Sequence, residues 1–309
     1  MQGVAARVRP RDVVFGPQKL RSPWRVLLFL ALTFGGYWLL AAASAPLVSL
    51  WGGMFWNIAS RSTLGIVAML VASFIMMRWV EHRPLAAMGL PLGKETLPGF
   101  LRGAAVGGAF VALLVVLQTV IGWLRPAPDA GTVIGWLESM SGLALLLALA
   151  ALTEELLFRG YAFQVLVEGT GVPVALVLST VLFAAVHLNN PAVTALALLN
   201  IALAGIIMAL AYLRTRSLWV AFGLHWAWNW VMAAVFDLPV SGIDIDVPGY
   251  DTLLSGPELA TGGAFGPEGG LPTTLLSLPL IVWLFRTRWL SQSPRMAELR
   301  PLVNARDLP

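Results

Sequence analysis

The chain is a succession of long apolar runs separated by short polar breaks. The runs fall at residues 23–43, 62–79, 100–123, 141–167, 172–187, 193–213, 218–236 and 272–290. A helix needs about 20 residues to cross the ~30 Å hydrocarbon layer of a bilayer, and most of these runs come near that length; the fifth and the eighth are short. Helices are predicted because a lipid-facing backbone must satisfy its own N–H and C=O groups. The expected fold is all-α: a polytopic membrane protein of about eight transmembrane helices.

Composition sharpens this picture. Hydrophobic residues make up 58% of the chain and charged residues 12%, against about 25% charged in soluble globular proteins. The absence of cysteine excludes disulfides, thiolate catalysis and cysteine-held zinc. Many of the 13 tryptophans lie near segment ends, where an amphipathic ring suits the membrane interface.

A pI near 10 raises the prospect of nucleic acid, but the distribution of basic residues argues for membrane topology instead. Six lie at the N-terminal end (Arg7, Arg9, Arg11, Lys19, Arg21, Arg25) and four between the second and third runs (Arg78, Arg83, Lys94, Arg102). Arg214 and Arg216 follow the sixth run, and Arg286, Arg288, Arg295, Arg300 and Arg306 follow or end the eighth. Only Arg61 and Arg125 fall on the opposite side, and Arg159 lies within a run. This alternation predicts that both termini are cytoplasmic and that the partner is the lipid bilayer, not nucleic acid; a protein or peptide substrate is what the polar groups of the membrane runs call for. The N-terminal pattern, basic then apolar then Ala43-Ser44-Ala45, imitates a secretory signal. Its apolar part is longer than the about 7–15 residues of a signal core, and Pro46 follows the small residues, so a retained first helix is expected.

The expected organisation is a basic cytoplasmic tail (1–22), a membrane domain (23–290) and a second cytoplasmic tail (291–309). Within the domain, residues 237–271 are rich in Gly and Pro and carry six acids and no base. An external, disordered connector is expected there in preference to a lid. Gly103 and Gly107, four apart in the third run, predict close helix packing. Neither composition nor spacing fixes the oligomeric state.

The candidate chemistry lies in the stretch TEELLFRGYAFQ, residues 153–164. Each charge held at mid-bilayer costs about 2.5–3.5 kcal/mol even on translocon scales, so two glutamates and an arginine there call for compensation. Glu155 and Arg159 are four apart and share a helix face. Glu154 points about 100° away and is left outside that pair. The fifth run ends in Phe183-Ala-Ala-Val-His187, and the seventh carries His225-Trp-Ala-Trp-Asn229, which sets imidazole and carboxamide one turn apart. At 1.5 Å per residue, Glu154, His187, His225 and Asn229 fall within roughly two helical turns of one depth. Taken singly, each has a plainer reading: an ion pair joining helices, an interfacial histidine, an interhelical hydrogen bond. Together they fit hydrolysis of an acyl or peptide bond. A free glutamate with a histidine can deprotonate water, and a histidine with an asparagine can donate to an oxyanion. Glu154, His187 and His225 also form a set that zinc accepts, so the residues leave the cofactor open between none and zinc. An ion-coupled transporter using Glu154, Glu155 and His187 is the competing class, although no repeated halves are present.

Glu154-Glu155-x-x-x-Arg159, Phe183-x-x-x-His187 and His225-x-x-x-Asn229 resemble the motif set of the CPBP (ABI) intramembrane proteases, relatives of the type II CAAX prenyl endopeptidases. The segment Tyr212-Leu-Arg-Thr-Arg-Ser-Leu-Trp219, Gly223-Leu-His225 and Asn200 is similar to that family as well. The likeness covers a protease-like core, residues 141–236. It implies an all-helical domain with a cavity inside the membrane, in which Glu154 and His187 activate water, His225 and Asn229 stabilise the oxyanion, and Glu155 and Arg159 support them. It implies a bacterial cytoplasmic membrane as the location and does not imply that the substrate is prenylated. Members linked to immunity and sorting keep a non-catalytic membrane role open.

Overall fold

The computed structural model of the chain describes residue 14 and residues 20–50, 52–245 and 247–299. Most of the basic tail, with Arg300 and Arg306, lies outside the described residues. Each of the eight apolar runs is helical, but the fold departs from the expectation in three places.

The first half contains α1 (Ser22–Val48), α2 (Met54–Ile75) and α3 (Thr96–Ile121). A π-helical turn, Met76–Val80, prolongs α2. Then follow α4 (Val133–Phe158), α5 (Tyr161–Thr170), α6 (Val172–Val186), α7 (Ala195–Thr215) and α8 (Leu218–Trp230). The short α9 (Glu258–Thr261) precedes α10 (Leu271–Arg286) and α11 (Pro294–Glu298). By length and composition, five stretches are able to cross a membrane: Ser22–Val48, Phe55–Val80, Thr96–Ile121, Val133–Thr170 and Ala195–Thr215. The apolar α6 and α10 are shorter.

The first departure is in the fourth run, which is two helices and not one. Arg159 leaves helical geometry (φ −126°, ψ −5°), and Gly160 turns the chain (φ −73°, ψ −140°) before α5 begins. A Cβ on Gly160 would stand 2.1 Å from the Leu156 carbonyl oxygen, so the break requires glycine. The turn frees Arg159 from the helix surface and sends its guanidinium inward.

The second departure is a small antiparallel sheet, so the chain is not strictly all-α. Strand β1 (Leu124–Pro128) pairs with β2 (Tyr250–Leu254), with Pro126 opposite Thr252. The third departure follows from it: the described residues 237–245 and 247–270 form an ordered cap, not a disordered connector. Asp237 accepts from the Val247 and Thr252 amides, and Asp129 accepts from the Gly249 amide at 3.0 Å. Gly242 sits at φ +82°, and a Cβ there would meet the Pro191 carbonyl at 2.1 Å. The cap therefore lies directly on the α6–α7 link.

Two sets of contacts position the helices that matter. In lipid, helices associate through close packing and polar contacts, since burial from lipid supplies little drive. Gly103 and Gly107 give α3 a flat face against α8, as the spacing predicts: added Cβ atoms would fall 1.9 Å from the Val220 oxygen and 2.1 Å from the Leu224 oxygen. On another face of α8, Trp226 and Trp230 stack with ring centroids 5.2 Å apart. Their indole N–H groups donate to the Ala144 and Met140 carbonyls of α4. Such bonds are worth about 0.6–2 kcal/mol each in a membrane, and they fix α8 against the helix bearing both glutamates.

Arg25, counted with the tail cations in the sequence, is a buried residue of α1. Its guanidinium donates to Glu81 at 2.8 Å and to Glu168 at 2.9 Å, while the Tyr161 hydroxyl donates to Glu81 at 2.7 Å. This network ties α1 and the turn after α2 to α5, away from the candidate site.

Candidate active site

Glu154 and Glu155 lie in the last turn of α4, His187 caps the C-terminus of α6, and His225 and Asn229 lie on α8. Glu154, His187, His225 and Asn229 all line one cavity of about 390 Å³. Phe183, Leu146, Leu147 and Met208 contribute to its largely apolar wall.

The buried charges hold the imidazoles. Glu155 and Arg159 are both 0% exposed. Arg159 Nη1 donates to Glu155 Oε1 at 2.9 Å, and Nη2 donates to the Gly205 carbonyl at 3.0 Å. The guanidinium also lies 4.5 Å from the centre of the Phe183 ring, a cation–π distance. The same Glu155 oxygen is 2.8 Å from His225 Nδ1. A carboxylate only accepts here, so Nδ1 carries the proton and Nε2 faces the cavity. There Nε2 lies 3.8 Å from Glu154 Oε2, beyond direct hydrogen-bond range and of a length that a bridging oxygen can divide.

His187 is fixed in a similar way. Its Nδ1 lies 2.7 Å from the Phe183 carbonyl oxygen, which can only accept, so the proton sits on Nδ1 and the Nε2 lone pair is free. Phe183 thus serves the site twice, through its carbonyl to His187 and through its ring, whose centroid lies 5.0 Å from that of His187 and 6.2 Å from that of His225. Glu154 is one-third exposed at its side chain, and its Oε2 takes no hydrogen bond from the described residues.

The zinc reading meets a geometric obstacle. Both histidines present the tautomer that metal-bound histidines use, with Nδ1–H donated to an acceptor. Yet among the described residues no three His, Asp or Glu side chains converge closely enough to hold a metal ion. Glu154, His187 and His225 share a cavity without forming a coordination set.

The cavity also contains Asn200, which the resemblance included, and three groups that the motifs did not single out: Asn190, Ser241 and Glu268. Glu268 Oε1 accepts from Trp228 Nε1 at 2.7 Å, and Oε2 accepts from the Ser241 amide at 2.6 Å and hydroxyl at 2.9 Å. Asn190 donates to the Ser241 carbonyl at 2.9 Å, and Asn200 donates to the carbonyls of Glu268 and Gly270. Glu268 is one of six acids in a Gly/Pro-rich segment. The available signal was the segment's length, since a structureless stretch of that size is uncommon unless it has a function.

Residues 136–231 match the family described as type II CAAX prenyl endopeptidase Rce1-like. This part, about a third of the chain, is similar to that family. It runs from within α4 to the residue after α8, and it includes Glu154, Glu155, Arg159, His187, His225 and Asn229. The segment that carries the motif resemblance, residues 141–236, overlaps the matched range. The matched segment leaves out α1–α3 and all of the cap, so Ser241 and Glu268 reach the cavity from outside it. No curated protein and no solved structure matches the chain.

Proposed function

We propose that the chain is an intramembrane endopeptidase that hydrolyses a peptide bond with water activated by Glu154 and His187. The observation that carries this reading is the meeting of Glu154, His187, His225 and Asn229 around one cavity, with each imidazole held at Nδ1.

The steps follow from the donors and acceptors available. A water held by Glu154 and the His187 Nε2 lone pair attacks the scissile carbonyl carbon and passes a proton to the Glu154 carboxylate. Charge develops on the carbonyl oxygen. The Asn229 carboxamide N–H is the donor on α8 for that oxyanion, and His225, one turn away, donates from Nε2 when the ring carries a second proton balanced by Glu155. Collapse of the tetrahedral intermediate breaks the C–N bond, and the proton on Glu154 goes to the leaving amine. Glu155 and Arg159 touch no reacting atom in this scheme; they orient His225. The apolar wall excludes bulk water and strengthens each of these interactions.

The test is Glu154→Gln in purified protein reconstituted in bilayers with a membrane-inserted peptide. The expected result is loss of cleavage by at least about 10³-fold, with an unchanged melting temperature. Cleavage at the wild-type rate by the folded variant overturns the reading.

A further inference from the structure

Four titratable side chains line the cavity among the described residues: Glu154, His187, His225 and Glu268. Water activation and oxyanion binding use the first three and leave Glu268 without a task. Glu268 is 8% exposed, and both of its oxygens are engaged. Oε1 accepts from the Trp228 indole, and Oε2 accepts from the Ser241 amide and hydroxyl. A carboxylate that already takes three hydrogen bonds is a poor base and a firm anchor, since bonds to an ionised acceptor are the stronger kind.

The two arms of this anchor reach both sides of the reaction. Ser241, whose carbonyl accepts from Asn190 at 2.9 Å, ties the anchor to the α6–α7 link three residues beyond His187. Ser241 stands at φ +51°, a conformation that a residue other than glycine keeps only where its surroundings impose it. The other arm holds Trp228, the neighbour of Asn229 in the last turn of α8. His187 and His225 are each tethered at Nδ1, to the Phe183 carbonyl and to Glu155. The Asn229 carboxamide has no such tether among the described residues, so its aim depends on the turn that carries it. Beyond Trp230 the α-helix gives way to a π-helical turn, Val231–Val235, a departure frequent at functional sites. Trp228 is 2% exposed and stacks on Phe110 of α3, with ring centroids 4.2 Å apart. The stack sets the plane of the indole, and the directional bond to Glu268 sets its position within that plane.

We propose that Glu268 is a positioning residue for the reaction. Through Trp228 it holds the turn of α8 that aims Asn229 at the oxyanion, and through Ser241 it ties that turn to the segment following His187. The cap is in this way part of the catalytic apparatus, although it lies outside the matched segment. The inference rests on the peptidase reading and deepens its assignment of Asn229.

The experiment uses the full chain in bilayers with a membrane-inserted peptide, rates being taken per folded protein. Glu268→Gln keeps the size of the side chain but offers a single acceptor oxygen, so one arm is lost. The expected result is a fall in kcat of about tenfold with KM within about twofold, because a displaced oxyanion donor costs less than the about 10²–10³-fold of a removed one. The deciding measurement is the same substitution in an Asn229→Ala background, where it should change kcat by less than about twofold, since coupled residues are not additive. A merely structural role would lower kcat by the same factor in both backgrounds. Trp228→Phe, which keeps a ring on Phe110 and removes the N–H, should reproduce the loss and add nothing to Glu268→Gln. A kcat within twofold of wild type in Glu268→Gln, a rise in KM at constant kcat, or equal losses with and without Asn229 overturns the proposal. If Glu268→Gln does not fold, Trp228→Phe decides: a loss that vanishes in the Asn229→Ala background supports the proposal, and no loss or an equal one overturns it. Undiminished cleavage by folded Glu154→Gln sinks the peptidase reading and this proposal with it; additive losses in an enzyme that does need Glu154 sink the proposal alone.

Discussion

Glu155 Oε1 lies 2.8 Å from His225 Nδ1 across 70 residues of sequence. The same oxygen receives Arg159 Nη1. One carboxylate oxygen thus joins the glutamate–arginine motif to the histidine–asparagine motif and sets which nitrogen of His225 faces the cavity. Glu155→Gln would present an N–H or an amide oxygen to Nδ1 and loosen that choice. We expect kcat to fall by about 10²-fold with the fold retained, since general acid–base and orienting groups contribute about 10²–10⁴-fold. The peptide-cleavage rate and its pH profile check this; activity within threefold of wild type would show that the bond has no part in turnover.

Asn229 is assigned to the oxyanion. Removing one such donor elsewhere costs about 10²–10³ in rate, so Asn229→Ala should lower kcat by that amount and leave KM nearly unchanged. A rise in KM at constant kcat would assign Asn229 to substrate binding instead.

The geometry of the cavity supports a metal-free reaction. Phenanthroline or EDTA should leave the cleavage rate unchanged, and metal analysis of the active protein should find no stoichiometric zinc. Loss of activity on chelation, restored by zinc, would require the three candidate ligands to close upon one another.

The α3–α8 contact is backbone against backbone at Gly107. Gly107→Ala should destabilise the protein by about 1–3 kcal/mol through overpacking, read as a lower melting temperature. Because α8 carries His225 and Asn229, activity should fall along with stability. A neutral result would mean that α8 can shift without consequence.

Asp129 tests the cap. Backbone hydrogen bonds, first from Gly249 and then from Ala130, hold its carboxyl below the ordinary carboxylate value. A folded value below the unfolded one stabilises the folded state above the unfolded pKa, near 3.9, and that contribution disappears as pH falls through the folded value. Acidification from neutral into this range should therefore expose the β1–β2 pairing to protease. Asp129→Asn should show the same exposure at neutral pH and lose the acid dependence.

The sequence by itself determined the helices and the inventory of polar groups in them. Apolar length and four-residue spacing are local properties, and they pick out Glu154, Glu155, Arg159, His187, His225 and Asn229 before any fold is known. They also marked Gly103 and Gly107, because only glycine leaves a helix face flat. What the sequence did not reveal depends on contacts between distant residues. The break at Gly160 was hidden inside a continuous apolar run. The bond from Glu155 to His225 depends on how α4 and α8 face one another. The cap, which looked like a connector, is ordered by β1–β2 pairing and by carboxylates meeting backbone amides far along the chain. Glu268 enters the cavity only through that closure. Hydrophobic periodicity encodes which residues leave water, whereas packing between helices decides which of them meet.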